Sequence, residues 1–330
     1  MLTRNPQRNP AMPKVRKAVI TAAGRGTRQY PASTAVQKEM FPLVDRDGLT
    51  KPVIQIIGEE AIDSGIEEIC IVTQPGEESA YRDYFKRLDD QMVKSFRGKD
   101  WAILESEKLA AFGARLHFAE QHSPEGFGHA VYQAKAFVGD DPFLLLLGDH
   151  VYIADVKDRC ARQLLKVFES YAPDAVTGVQ ATLERQLHLF GTIRGNPVDA
   201  TRGVYQAELI IEKPSIEEAR AKLSTPGLPA GNYLSHFGMH VFSPRIFDSL
   251  EYLIKNDLRD KGEIQLTAAQ EHLRQQHPDR YLAVVTQGQR YDTGIPYGLM
   301  ETQLALALNG IHRTEICEAI ARILATQVKA

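Results

Sequence analysis

The stretch Ala22-Ala23-Gly24-Arg25-Gly26-Thr27-Arg28, with Lys38 a little further on, combines residue types suited to holding a phosphate. Glycines have no Cβ, so the backbone at Gly24 and Gly26 can approach an anion closely and aim amide N–H groups at its oxygens. Arg28 and Lys38 add positive charge. Two familiar phosphate loops do not fit. A dinucleotide fingerprint needs a third glycine where Gln29 stands, and a Walker loop needs Gly-Lys-Ser/Thr where Thr27-Arg28 follows Gly26. A glycine pair alone also suits an ordinary tight turn, so the cations give the loop its meaning.

Carboxylates supply the second half of the chemistry. The most apolar run, Phe143 to Leu147, ends in Gly148-Asp149-His150. A strand of Phe and Leu is buried on both faces, so Asp149 emerges at the carboxyl edge of the sheet, where open α/β sheets bind ligands. If a nucleoside triphosphate lies along that edge, Asp149 is placed to hold Mg²⁺ against its phosphates, with Asp292 as a second carboxylate. Each Asp by itself is also a common turn residue. Glu212-Lys213-Pro214 ends an apolar strand with two charges: the carboxylate can accept sugar hydroxyls, and the ammonium can neutralise a phosphate. The plainer reading is a surface ion pair. His236 and His240 share a strand face without a third ligand nearby and read as packing. His150 follows Asp149, but an Asp-x-Asp pair would need an acid at Val151. No constellation for a covalent nucleophile is evident.

These residues need a scaffold. At 330 residues, 43% hydrophobic and 25% charged, the chain has an ordinary globular composition and can bury a large core. A net charge of −3 gives no general attraction to nucleic acid or an anionic membrane. Cys70, Cys160 and Cys317 lack metal-ligand spacing and fit a reduced, cytoplasmic setting. No apolar stretch approaches the ~20 residues of a membrane helix, and Met1 to Pro13 reads as a flexible tail without a signal-peptide core.

Apolar runs alternate with amphipathic segments through the first half, the pattern of helices on a mostly parallel sheet. Strands are predicted at 18–20, 69–73, 116–118 and 143–147, and helices at 52–64, 79–88 and 126–137, with helical elaboration over Asp89 to Ala114. Short strands at 175–180, 191–194, 204–206, 209–212 and 233–242 predict added antiparallel sheet. A helix is expected to start at 262–267, a late strand to span 281–285, and closing helices to cover 296–308 and 315–328.

With these motifs in hand, the chain resembles the sugar-phosphate nucleotidyltransferase family, in particular the bacterial UTP:glucose-1-phosphate uridylyltransferases. The resemblance runs through nearly all of Lys14 to Leu308. It includes Ala23-Gly24-Arg25-Gly26-Thr27-Arg28, Lys38-Glu39-Met40, Gly126-Phe127-Gly128-His129-Ala130-Val131, Gly148-Asp149, Phe190-Gly191, Ile211-Glu212-Lys213-Pro214, Glu263-Ile264-Gln265-Leu266-Thr267 and Tyr291-Asp292-Thr293-Gly294, in the family's order. It implies a doubly wound, Rossmann-like α/β fold with a mostly parallel mixed sheet, an added antiparallel sugar-binding region and C-terminal helices. The domains implied are a nucleotide half at about 14–150, a sugar-phosphate half at about 151–308 and a helix over 309–330.

The resemblance also implies roles. Ala23 and Gly24 would meet the base and ribose, Gly26, Thr27 and Arg28 the triphosphate, and Lys38 the phosphates during reaction. Gln121 and Gly126 would face the uracil, and Asp149 and Asp292 would hold Mg²⁺. Gly191, Glu212 and Asn232 would bind the hexose and Lys213 its phosphate. The expected reaction joins UTP and glucose 1-phosphate into UDP-glucose and pyrophosphate, with Arg28, Lys38 and Lys213 catalytic. The chain departs from the family at Thr34-Ala35-Val36-Gln37, at a small insertion over Asp45 to Thr50, and at Gly262 and Ala268. These leave the phosphate and metal positions intact and bear on sugar specificity and subunit contacts.

Thymidylyl transfer is the nearest alternative, since a pocket discriminates one methyl by only ~1–3 kcal/mol. A nicotinamide oxidoreductase is disfavoured by the missing glycine. A silent nucleotide-sugar sensor is disfavoured by the presence of Arg28, Lys38, Asp149 and Asp292 together. The apolar closing helices leave room for a homo-oligomer.

Overall fold

The computed structural model describes residues 14–96 and 99–327; the tail predicted over Met1 to Pro13 lies outside them. In chain order the strands are β1 (Lys17–Thr21), β2 (Pro42–Val44), β3 (Thr50–Pro52), β4 (Glu68–Thr73), β5 (Leu116–Glu120), β6 (Phe143–Leu147), β7 (His150–Ala154), β8 (Ala175–Leu183), β9 (Thr192–Asp199), β10 (Val204–Ile211), β11 (Asn232–Phe242), β12 (Tyr281–Val285) and β13 (Gly288–Asp292). No helix among the described residues is long and apolar enough to cross a membrane.

The chain folds as two compact units. The first comprises the described part of Met1–Ala18 with Glu125–Leu145 and Ala161–Thr286; the second comprises Val19–Pro124, Leu146–Cys160 and the described part of Gln287–Ala330. They interleave along the sequence, so a cut near residue 150 does not separate them.

The second unit carries the glycine loop. Its strands stand in the order β5-β4-β1-β6, and β4 runs parallel to β5 with Ile69 opposite Leu116 and Thr73 opposite Glu120. Ile69, Cys70, Ile71 and Val72 are wholly buried, as a parallel strand covered on both faces requires. The Gly148 N–H donates to the Thr21 carbonyl at 2.9 Å and the Ala22 N–H to the Val72 carbonyl at 2.7 Å. The glycine loop and Asp149, predicted at the carboxyl edge, therefore leave one edge. The helix Val53–Asp63 buries Val53, Ile54, Ile57 and Ala61, and Gly65 follows it at φ 101°. The elaboration contains helices Asp90–Ser95 and Asp100–Gly113, with residues 97 and 98 outside the described part.

Two ribbons of this unit were not anticipated: the β2–β3 hairpin around the insertion at Asp45 to Thr50, and a second that reaches the site. β7 and β13 form an antiparallel ribbon that sets Asp292 opposite His150 and Arg290 opposite Tyr152. The partners are far apart in sequence; β7 is largely buried, but β13, with Gln289, Arg290 and Asp292, carries no apolar run that would announce a strand.

In the first unit the strand order is β11-β8-β12-β10-β9. β8 and β12 are parallel, whereas β11–β8, β10–β12, β10–β9 and β11–β9 are antiparallel, which gives the mixed sheet expected for this half. The strands predicted separately at 204–206 and 209–212 are one strand, β10. Its register against β9 shifts between Ala207 and Leu209, a bulge that resembles a break in the pattern. The helix Arg245–Lys255, which the sequence reading passed over, buries Ile246, Phe247, Leu250 and Leu253, and Phe247 stacks on Phe143 at 5.4 Å.

Candidate active site

In the second unit, β1 opens into Gly24-Arg25-Gly26, and Gly26 sits at φ 61°, the left-handed region where glycine has no Cβ penalty. Short 3₁₀ turns at Thr27–Gln29, Ala32–Thr34 and Lys38–Met40 follow, and among the described residues no α-helix begins before Val53. An anion here must therefore rely on loop amides and side-chain cations instead of a helix N-terminus.

The cations and carboxylates meet. Lys38 Nζ lies 2.5 Å from Asp149 Oδ2 and 3.5 Å from Glu39 Oε1. The Arg28 guanidinium is 4.0 Å from Asp149 and 3.8 Å from Asp292. Backbone hydrogen bonds fix the frame: the Thr293 N–H and hydroxyl both donate to the Asp149 carbonyl, at 2.8 and 2.9 Å. The Gln29 amide donates to the Thr293 carbonyl at 2.7 Å, tying the glycine loop to the turn after β13.

Burial alone would raise the Asp149 carboxyl, but the hydrogen bond with His150 (2.8 Å) and the Lys38 ammonium hold it well below the ordinary carboxylate range. Burial would likewise lower Lys38, yet Asp149 and Glu39 keep it above its usual value. Glu39 goes the other way: burial pushes its carboxyl up to about 8 in spite of Lys38.

Asp149, His150 and Asp292 each present a ligand atom, all within 4.8 Å of one another. His150 Nδ1 faces Asp149 Oδ1, where it orients the carboxylate, and the two carboxylates offer oxygen donors. Gly294 matters here, since a Cβ would come within 2.6 Å of Asp149 Oδ2 and 2.9 Å of Asp292 Oδ1. Two carboxylates facing a space that a side chain at 294 would fill suit a hard divalent cation.

A second cluster forms in the first unit. Ile211 of β10 pairs with Thr192 of β9, and Ser235 of β11 pairs with the same Thr192, so Glu212 and His236 both come level with Gly191. The His236 N–H donates to the Gly191 carbonyl at 2.8 Å. A Cβ on Gly191 would lie 2.6 Å from His236 Nδ1 and 3.1 Å from Glu212 Oε2, which explains a glycine there. Lys213 Nζ stands 3.5 Å from Glu212 Oε1, and Lys213 itself is held at φ 44°, a conformation costing an L-residue ~1–2 kcal/mol. Such strain is often found where a side chain must be aimed.

Among the residues singled out from sequence, Gly24, Gly26, Thr27, Arg28, Lys38, Asp149 and Asp292 therefore belong to one cluster, with Ala23 buried at the start of the loop. Gln121 is buried in the same unit, its N–H bonded to the Thr73 carbonyl. Gly191, Glu212 and Lys213 form the other cluster, and Asn232 opens β11. Gly126 has a packing reason of its own, because a Cβ there would meet the Ile264 carbonyl at 2.7 Å. His240 bonds Thr177 and Gln270 in the interior, as expected for a packed histidine. Sequence reasoning passed over the His150 contact, Gly294 and the place of His236 beside Gly191. Gly294 stands within a motif readable in sequence, but its closeness to both carboxylates, like the place of His236, follows from how the strands are paired.

The family described as Nucleotidyl transferase matches residues 17–308. A UTP–glucose-1-phosphate uridylyltransferase of Bacillus subtilis is 38% identical over 299 residues, covering 90% of this chain and 92% of the relative. Among solved structures, a UTP-bound UGPase from Acinetobacter baumannii has a TM-score of 0.75 at 27% identity, covering 93% of this chain and 99% of that one. A UDP-glucose pyrophosphorylase complexed with UDP-glucose has a TM-score of 0.69 at 27% identity, covering 88% and 98%.

Proposed function

This chain belongs to the Nucleotidyl transferase family, and we propose that it transfers the uridylyl group of UTP to glucose 1-phosphate, releasing pyrophosphate and UDP-glucose. The observation that carries the reading is the convergence of Arg28, Lys38, Asp149 and Asp292 beside the glycine loop. The relative and the structural neighbours named for this reaction support the choice of nucleotide and sugar.

A phosphate oxygen of the sugar phosphate attacks the α-phosphorus in line, and pyrophosphate leaves without a protein-bound intermediate. Both reactants are anions, so the protein's task is positioning and charge neutralisation. Loop amides at Gly24 and Gly26 with Thr27 and Arg28 hold the triphosphate, and Ala23, Gln121 and Gly126 contact the nucleoside. Lys38 neutralises phosphate charge as it develops, while Gly191, Glu212 and Asn232 hold the hexose and Lys213 its phosphate. Asp149 and Asp292 would hold Mg²⁺, which supplies further positive charge to the phosphate oxygens.

The test is pyrophosphate release from UTP, dTTP, CTP, ATP and GTP, each paired with glucose 1-phosphate and with other sugar 1-phosphates, with product identification. UTP with glucose 1-phosphate should be the fastest pair, and chelating the divalent ion should abolish turnover. A dTTP rate exceeding the UTP rate would replace the reading by thymidylyl transfer. Tight UDP-glucose binding without pyrophosphate release would replace it by a sensor.

A further inference from the structure

The segment Glu263-Ile264-Gln265-Leu266-Thr267 has no part in the chemistry above, yet it is pinned at one end and reaches the hexose cluster at the other. The Ile264 N–H donates to the Glu125 carbonyl at 2.8 Å, and the Ile264 carbonyl accepts the Gly128 N–H at 2.9 Å. The helix Leu266–Gln276 follows, and its second residue, Thr267, is 7% exposed. The Thr267 hydroxyl donates to Glu212 Oε2 at 2.6 Å.

A glutamate at a strand end ordinarily samples several rotamers, and fixing one upon binding costs free energy. Here Oε2 is occupied by a hydroxyl on an anchored helix. Oε1, 3.5 Å from Lys213 Nζ, is the oxygen left to accept from a ligand. We propose that Thr267 is a positioning residue for the sugar phosphate: it sets the Glu212 carboxylate before the hexose arrives and touches no substrate itself. The proposal rests on the reading of Glu212 as the hexose acceptor. Ala268, one of the departures from the family pattern, lines a groove of about 480 Å³ together with Glu212 and Thr267.

The experiment measures KM for both substrates in wild type, Thr267→Val, Thr267→Ser, Glu212→Ala and the double variant Thr267→Val/Glu212→Ala, with a thermal melt of each. Losing a hydrogen bond to a charged acceptor should raise the glucose 1-phosphate KM of Thr267→Val about tenfold and leave the UTP KM unchanged. Thr267→Ser should restore the wild-type value, and adding Thr267→Val to Glu212→Ala should cost nothing further. Equal rises in both KM values, a serine variant that melts normally without restoring the sugar KM, or losses that add in the double variant would overturn the proposal. Should the wild type turn over no sugar phosphate, the functional reading falls separately. Titration calorimetry with glucose 1-phosphate then decides the Thr267 question on the same variants, by the same tenfold loss of affinity or its absence.

Discussion

Glu39 shows how much of the site depends on the surroundings of single residues. Its motif, Lys38-Glu39-Met40, is readable in sequence, but the buried carboxyl beside Lys38 is not, since burial comes from elements distant in the chain. With its pKa raised from about 4.5 to about 8, the folded state holds this proton more tightly than the unfolded chain does. Stability from Glu39 is therefore complete below pH 4.5 and is lost as pH rises towards 8. In metal-free buffer Glu39→Gln should show a flatter Tm between these pH values than wild type, and a higher Tm at the upper end. Parallel Tm profiles for the two proteins would contradict this. Arg28 and Lys38 stood out in sequence as cations accompanying a glycine loop, and Asp149 as the carboxylate that follows the apolar strand β6. His150 and Gly294 did not, because their meaning lies in what stands opposite.

At the scale of elements, the long apolar or strongly periodic segments were legible: β6, β12 and the helix Pro296–Leu308 fall where expected. Elements defined by pairing were not. The β7–β13 ribbon places Asp292 opposite His150, and the register of β9, β10 and β11 brings Glu212 and His236 to Gly191, yet neither leaves a local periodic trace. The charged elaboration was predicted helical, and its anchoring on the Val53–Asp63 helix appears only in the packing. A Cβ on Gly58 would come within 2.2 Å of the Phe112 ring, which stacks on Phe85 at 4.4 Å. Gly58→Ala should therefore lower unfolding free energy by roughly 1–3 kcal/mol, the usual range for overpacking. Chemical denaturation measures it, and an unchanged midpoint with an unchanged slope would show that Phe112 yields without cost.

For the whole molecule, a net charge of −3 gives no general attraction to nucleic acid or an anionic membrane, but composition could not indicate two units interleaved through the chain. The motifs follow one order along the sequence while their residues gather into two clusters, one rich in cations and carboxylates, the other presenting Glu212, Lys213 and Gly191. Contacts of that kind depend on the path of the chain, which motif order does not specify. For the proposed reaction, the cluster of Arg28, Lys38, Asp149 and Asp292 must act on phosphates and not serve only as a buried ion-pair network. The most direct measurement is the rate of UDP-glucose and pyrophosphate formation at saturating UTP, glucose 1-phosphate and Mg²⁺ for wild type, Lys38→Ala and Asp149→Ala, each confirmed folded by its thermal melt. Each variant is predicted to turn over about 10²–10³-fold more slowly; folded variants of both residues with near wild-type turnover would contradict the account.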